Sequence, residues 1–399
     1  MIEIFLVFLR LGLTSFGGPV AHIGFFHTEF VRQRKWVDDS TFSGWLALCQ
    51  FLPGPASSQL GFLIGLHRGG FMGALAAWFA FTMPSAVVLV ALAIYGIGSE
   101  SEWAMTVVHG LKLVAVAVVA QAVWGMWSSL CKSTVTRVVA LAGFALTIWF
   151  IGWSGQIWAI LAGALVGLVL LRQEAQANLT GEVGVVRVRP VAGIVLLLVA
   201  LALLLGLPFV VAQAPVTEMF ATFYRAGALV FGGGHVVLPM LQSAVVDTGL
   251  VGRDDFLAGY GLAQAVPGPL FTFAAWVGAL DQSLPGWPGA MLALVAVFLP
   301  GMLLVCGVLP WWNRLREQSW ALAAFAGANA AVVGVLAAAW YNPIMMTAFQ
   351  TWIDACVAFA AAAWLIWGRA RAWAVVLLCV LLALAGQWSG VWPVVSAGS

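Results

Sequence analysis

Two arginines lie at matched positions inside long apolar segments of the chain. Arg10 is in the first apolar segment, and Arg225 repeats it in the second half. A charge inside a membrane-spanning helix is costly and is usually functional or paired. A guanidinium group can hold a tetrahedral oxyanion through two parallel hydrogen bonds. The arginines therefore predict an anion-binding site; the alternative is that they cap helix carbonyls or reach the membrane interface.

Glycine and proline motifs follow each arginine. They are FGGP with Gly17, Gly18 and Pro19, its counterpart FGGG with Gly232, Gly233 and Gly234, and two PGP motifs, Pro53-Gly54-Pro55 and Pro267-Gly268-Pro269. Glycine and proline free backbone groups that hydrocarbon cannot satisfy, so such breaks are tolerated where they line a cavity. A half-helix that begins after a break presents unpaired N–H groups, which suit an anion. The alternative is that the motifs only kink helices or allow close packing.

Further polar residues complete the candidate site. They are Gln50 and Gln264, each three residues ahead of a PGP motif, Lys112 with its repeat counterpart Asn329, and His22 and His235 beside the glycine motifs. The glutamines could donate to an oxyanion and the histidines could carry protons; hydrogen bonds between helices are the alternative for each. We expect no carboxylate at the depth of the cations, so the embedded charge should be net positive.

The elements that position these residues are predicted to be membrane-spanning helices. Of the 399 residues, 63% are hydrophobic and 8% are charged, whereas a soluble domain carries about 25% charged residues. The continuous apolar runs favour a helical bundle over a barrel. A net charge of +2 offers no surface for nucleic acid. The isolated cysteines predict no metal site, and no catalytic or cofactor motif is present, so we expect neither a cofactor nor enzymatic activity.

The chain reads as two related halves. About 12 to 13 spans are expected, from apolar segments at about 2–26, 42–66, 70–98, 104–130, 137–152, 155–171, 190–212, 218–243, 256–280, 287–312, 319–340, 353–368 and 372–392. FLRLGLTSFGGP matches FYRAGALVFGGG, LALCQFLPGP matches YGLAQAVPGP, FTMP matches VFLP, and GLKLVAVAV matches GANAAVVGV, all in the same order. This internal duplication predicts repeats at 1–172 and 213–399, joined by a linker and connecting span at 173–212.

The two repeats are predicted to be inverted in the membrane. Seven spans precede the second copy, and an odd number reverses its direction. Lysines and arginines collect in the even-numbered loops, and cytoplasmic loops are the ones enriched in these residues. We therefore expect a cytoplasmic N-terminus. The basic first loop, with Arg32, Arg34 and Lys35, is the exception, and it leaves open a re-entrant path for the first two segments.

The paired motifs, Trp36-Val37 after the basic loop and the two-copy length resemble the chromate ion transporter family in its long, two-domain form. The resemblance implies an alternating-access carrier of the bacterial inner membrane that exports chromate, with the arginines, both glycine motifs, both PGP motifs, Gln50 and Gln264 as site residues. Another oxyanion such as sulfate, or an anion channel, stays open as an alternative. The expected partners are the oxyanion and the lipid bilayer, and an oligomer is possible.

Overall fold

A computed structural model of the chain describes residues 1–95, 102–150, 153–172, 188–210, 215–231, 237–246, 248–368 and 370–390. Every regular element in these residues is helical. Five helices are long and apolar enough to cross a membrane, and five further apolar helices are shorter. The protein is therefore an all-α, multi-pass membrane protein, as the composition predicts.

The first apolar segment is interrupted at the FGGP motif. Helix α1 (Ile2–Thr14) ends where Ser15 becomes extended, with φ −85° and ψ 90°, and α2 (Gly18–Phe26) starts after Gly17 at φ +104°. A π-helical turn (His27–Gln33) continues α2. At 1.5 Å per residue, the 13 residues of α1 extend about 20 Å, less than the roughly 30 Å of hydrocarbon. The segment 2–26 is therefore two short helices separated at the FGGP motif.

The second apolar segment is interrupted at the PGP motif. Helix α3 (Asp39–Phe51) ends before it and α4 (Ala56–Tyr95) begins after it. Helix α4 is itself broken at Gly69 and Gly70, into a first arm (56–68) and a second arm (71–95). The arms fold back on each other, because a Cβ on Gly65 would lie 2.5 Å from the carbonyl oxygen of Gly73. The predicted segment 42–66 is thus two short helices joined by the PGP turn.

The rest of the chain continues as a series of helices. They are α5 (Glu102–Leu130), α6 (Thr134–Trp149), α7 (Trp153–Leu170), α8 (Pro190–Val210), α9 (Pro215–Ala228), α10 (Val237–Val245), α11 (Arg253–Ala265), α12 (Phe273–Leu280), α13 (Trp287–Val308), α14 (Trp312–Leu315), α15 (Ser319–Ala339), α16 (Met346–Ala348), α17 (Trp352–Ile366) and α18 (Ala372–Trp388). The helices recur in the same order in the two halves. Thus α9 corresponds to α1, α11 to α3, α13 to the second arm of α4, and α15 to α5. Among the described residues, α8 has no counterpart in the other half.

The helices of the two halves pack across one another. Helix α15 packs against α6 and α7, and in the matching arrangement α5 packs against α17 and α18. Glycines bring α15 and α7 together, because a Cβ on Gly163 would lie 2.6 Å from the carbonyl oxygen of Gly327. Close approach at small residues is a common way for helices to associate in a bilayer. Each half therefore completes the packing of the other.

Candidate oxyanion site

In each half, the break at the glycine motif meets the PGP turn of the other half. At the first contact, which we term the Ser15 junction, the Gly268 N–H donates to the Ser15 carbonyl oxygen at 3.1 Å. The same carbonyl lies 3.2 Å from Nε2 of His22, which is fully buried. Because a carbonyl oxygen only accepts, Nε2 carries the hydrogen in this contact. The break in α1 is thus held by a backbone group from residue 268 and by an imidazole of α2.

The second contact, the Val230 junction, repeats this arrangement with the halves exchanged. The Gly54 N–H donates to the Val230 carbonyl oxygen at 2.7 Å. Val230 directly precedes the second glycine motif, as Ser15 precedes the first. Beside it, the Gln59 amide donates to the carbonyl oxygens of Pro53 at 2.9 Å and Gly301 at 3.0 Å. Each junction is therefore built from both halves.

Both PGP glycines adopt a backbone conformation that other residues rarely take. Gly54 has φ +121° and Gly268 has φ +114°. A Cβ on Gly54 would lie 2.7 Å from Nε2 of Gln59, and one on Gly268 would lie 2.7 Å from Oγ of Ser85. Glycine is required at both turns for conformation and for space.

The FGGP glycines are required for a different reason. Gly17 and Gly18 have φ +104° and +75°, yet a Cβ on Gly18 would meet nothing within 4 Å. Their role is conformational at the break, and Gly18 makes no close approach. Pro19 occupies the first turn of α2, where its missing N–H is not needed.

Several buried polar atoms around the junctions have no hydrogen-bond partner among the described residues. At the Ser15 junction they are Oγ of Ser15 and Nδ1 of His22, with Oγ1 of Thr82 nearby. Thr82 belongs to this group because its carbonyl oxygen accepts from the Ser85 hydroxyl, which lies against Gly268. Buried polar groups are normally satisfied, so these atoms are candidates for contact with a bound ligand or water.

The first arm of α4 directs its N-terminus to the PGP turn of its own half. It begins at Ala56, directly after Pro55, with Ser57 and Ser58 buried in its first turn. The Ser58 hydroxyl also has no partner among the described residues. First-turn N–H groups have no partner within the helix, and the helix dipole favours negative charge there. Together with the unpartnered hydroxyls, this arrangement can donate several hydrogen bonds to an oxyanion.

Arg10 has a carboxylate partner, contrary to the expectation from the sequence. Its guanidinium group forms an ion pair with Glu29, whose side chain is only 7% exposed. The chain breaks after α1 and returns through α2 and the π-helical turn, which brings Glu29 beside Arg10. The prediction of an unneutralised charge at this position is therefore wrong.

Lys112 also has a carboxylate partner. Its Nζ lies 2.7 Å from Oδ1 of Asp254, in the first turn of α11. The expectation that the embedded charge is net positive is therefore incorrect at both Arg10 and Lys112. The counterpart Asn329 has a buried Oδ1 without a partner in the described part of the chain.

The other predicted site residues differ from one another in burial and in hydrogen bonding. Arg225 is half-buried, and its Nε donates to the Ala221 carbonyl oxygen at 3.2 Å. Gln50 is exposed at the end of α3, whereas Nε2 of Gln264 is buried without a described partner. Pro53, Pro55 and Pro269 are buried at the PGP turns, and Pro267 is partly buried. Four predicted residues, Gly232, Gly233, Gly234 and His235, lie outside the described residues.

A row of polar pairs lies along α5, and the sequence alone did not indicate it. The pairs join Thr106 to Gln387 at 2.6 Å and His109 to Asp354 at 2.7 Å, one step before Lys112 and Asp254. The α5 residues are three apart, so they follow one another along the helix. That spacing was the available signal, but the partners come from distant helices of the second half.

Interrupted helices, buried polar groups at their breaks and several membrane-spanning helices define a polytopic membrane transport protein. The family model described as chromate transporter matches residues 2–168 and 217–385. The chain therefore belongs to the chromate transporter family, which confirms the resemblance drawn from the motifs. No solved structure matches it.

Similar proteins are named as transport proteins. The chain is 30% identical to a probable chromate transport protein of Synechococcus elongatus over 83% of this chain and 81% of the relative. It is 30% identical to a chromate transport protein of Pseudomonas aeruginosa, over 87% and 82% of the two chains. It is 26% identical to a chromate transport protein of Cupriavidus metallidurans, over 84% and 81%.

Proposed function

We propose that this protein exports chromate from the bacterial cytoplasm across the inner membrane and so confers chromate resistance. Relatives named as chromate transport proteins support the substrate. Chromate is a tetrahedral dianion, and donors without protein partners at the junctions suit such a ligand. The observation that carries the proposal is the crossed pair of junctions, in which each PGP turn holds the break of the opposite half.

The crossed junctions favour a carrier with alternating access. A substrate bound between them touches both halves, so relative movement of the halves would open it to one side and then the other. Inverted repeats with broken helices near the midplane are common in such carriers. We infer that the repeats at 1–172 and 213–399 are inverted, with the connecting segment 173–212 and its additional helix reversing the direction of the second copy.

The membrane potential is sufficient to drive export. Moving one elementary charge across the membrane is worth about 2.3 kcal/mol per 100 mV. A dianion leaving a negative cytoplasm gains about twice that amount, so outward flux requires no nucleotide. Arg10, Arg225 and Lys112 attract the anion towards the junctions, although the carboxylates beside Arg10 and Lys112 reduce this attraction.

Uptake of labelled chromate into inside-out vesicles tests the proposal. Uptake should saturate with concentration, rise with an inside-positive potential and exceed uptake into vesicles that lack the protein. Competition by excess sulfate reports whether the site selects chromate over a similar dianion. No uptake above the control at any potential would overturn the proposal.

Counterflow separates a carrier from an anion channel. Vesicles loaded with unlabelled chromate should transiently concentrate labelled chromate, since a carrier exchanges one bound anion for another. A channel would only let the label equilibrate. Orientation is tested by cysteine accessibility in Glu100→Cys and Arg314→Cys, at matching positions of the two repeats; labelling of both from the same side would exclude inversion.

A further inference from the structure

One buried carboxylate is held by two guanidinium groups at the start of the chain. Oε2 of Glu29 contacts Arg10, and Oε1 of Glu29 lies 2.6 Å from Nε of Arg34. Each carboxylate oxygen is therefore bound by a different arginine. This is the geometry in which two arginines would hold two oxygens along one edge of a tetrahedral oxyanion.

The two arginines are exposed at the surface of the protein, whereas the carboxylate between them is buried. The Arg10 side chain is 58% exposed and that of Arg34 is 31% exposed, against 7% for Glu29. An anion that approaches from the exposed side therefore meets both guanidinium groups before it meets Glu29. Glu29 lies in the π-helical turn, a type of segment that is frequent at functional sites.

The surrounding contacts hold Arg34 in position. Its Nη1 lies 2.9 Å from Oε1 of Glu3, and its guanidinium group lies 5.5 Å from the centre of the Trp36 ring. Arg68 stacks on the same ring at 5.3 Å and lies 3.8 Å from Glu3. Three arginines and two glutamates give the cluster a net charge of +1, so it attracts anions even with Glu29 in place.

The cluster belongs to the first half only. Glu3 and Arg10 recur as Glu218 and Arg225, but the positions that match Glu29 and Arg34 carry Ala244 and Gly249. An ion pair needed only to stabilise the repeated helix would have no reason to differ between the halves. The difference is expected if one side of the protein has an additional anion site.

We propose that Arg10 and Arg34 form an entry site for a divalent tetrahedral oxyanion, and that the Glu29 carboxylate occupies this site until the anion displaces it. The inference rests on the proposed function, because it assigns to the transported anion a site ahead of the Ser15 junction. A dianion carries twice the charge of the carboxylate, so it competes effectively for the two arginines. Glu29 sets the affinity of the entry site and returns when the anion moves on.

Equilibrium binding of labelled sulfate and chromate to the purified, detergent-solubilised protein tests the site. Glu29→Gln removes the competing charge and should tighten binding of the dianion about tenfold, whereas Arg34→Gln should weaken it about tenfold or more. Arg32→Gln is the matched control: Arg32 lies two residues from Arg34, is exposed and takes part in none of the ion pairs of the cluster. It should bind as the wild type does.

Further variants keep the test decisive if one substitution impairs folding. Arg34→Lys retains the charge but loses the Nε donor. Its affinity for the dianion should therefore be intermediate between those of the wild type and Arg34→Gln. Nitrate, a monovalent anion, should gain less than sulfate from Glu29→Gln. The amount of bound anion is divided by the amount of monodisperse protein for every variant.

The outcomes separate the entry site from the transport function. Unchanged or weaker dianion binding in folded Glu29→Gln would overturn the entry site, as would equal binding by Arg34→Gln and Arg32→Gln. If the vesicles nevertheless accumulate chromate, the transport function stands without the entry site. If the predicted binding changes occur but vesicles take up no chromate, the entry site stands and the transport function fails.

Discussion

Substitution of Gly54 by alanine tests whether the PGP turn must be glycine. The new Cβ would lie 2.7 Å from Nε2 of Gln59 and 3.1 Å from Cα of Gly301, at a backbone φ of +121°. Strain of this kind costs about 1–3 kcal/mol. Moving the Gln59 amide away would also break its bonds to Pro53 and Gly301, each worth about 0.5–1.5 kcal/mol. The total cost is about 2–6 kcal/mol.

This cost falls directly on the Val230 junction, because the strained residue donates the hydrogen bond to Val230. Since 1.4 kcal/mol corresponds to a factor of ten, even the lower figure reduces the ratio of intact to broken junction more than tenfold. The assay is the initial rate of chromate uptake into inside-out vesicles, divided by the amount of monodisperse protein. We expect Gly54→Ala to lower this rate at least tenfold, or to lower the yield of monodisperse protein.

Gly24→Ala is the matched control. Gly24 lies in α2, and a Cβ there would meet nothing within 4 Å. Alanine favours a helix over glycine by up to about 1 kcal/mol, so this variant should retain wild-type yield and uptake. If Gly54→Ala matched Gly24→Ala in both yield and uptake rate, the reasoning about the junction would be refuted.

Three further substitutions test neighbouring parts of the fold. Gly268→Ala should impair uptake more than Gly18→Ala, because both strain the backbone but only position 268 lacks space; equal uptake rates would contradict this. Asp254→Asn removes the carboxylate that pairs with a buried ammonium group, and it should lower the thermal unfolding midpoint in detergent more than Asp254→Glu does. Asp354→Asn removes the charge beside His109 and weakens the capping box that Asp354 forms with Thr351 at the start of α17. Its midpoint should therefore fall as well, and an unchanged midpoint would argue against a stabilising role.

The sequence predicts the breaks well because their causes are local. Glycine and proline occur together at positions 17 to 19 and 53 to 55, a combination that disfavours a continuous helix, and α1, α2, α3 and α4 end or begin at these residues. It predicts the lengths of the spans less well, because the fold-back at Gly69 and Gly70 depends on the close approach of Gly65 and Gly73. That contact is visible only in three dimensions.

The charge pairs were missed for a related reason. Glu29 is 19 residues from Arg10, and it reaches Arg10 only because the chain reverses after the break. Asp254 is 142 residues from Lys112 and belongs to the other half. When charges are counted in each span separately, no acidic residue is found at the depth of these cations. Pairing follows from how the halves cross, and neither hydropathy nor spacing reports that.

The two halves are alike at the junctions and unlike on their flanks. On α5 the second half is bound through polar side chains at positions 106, 109 and 112, whereas the matching positions on α15 are Ala323, Ala326 and Asn329. Backbones approach closely on both helices, as at Gly327 of α15 against Gly163 and at Gly110 of α5, where a Cβ would lie 2.9 Å from Cα of Val380. Close backbone packing resists sliding, because interiors packed in this way do not deform continuously. Polar pairs can exchange partners with water or with an anion. The polar pairs therefore give the α5 side of the interface exchangeable contacts that Ala323 and Ala326 on α15 cannot make.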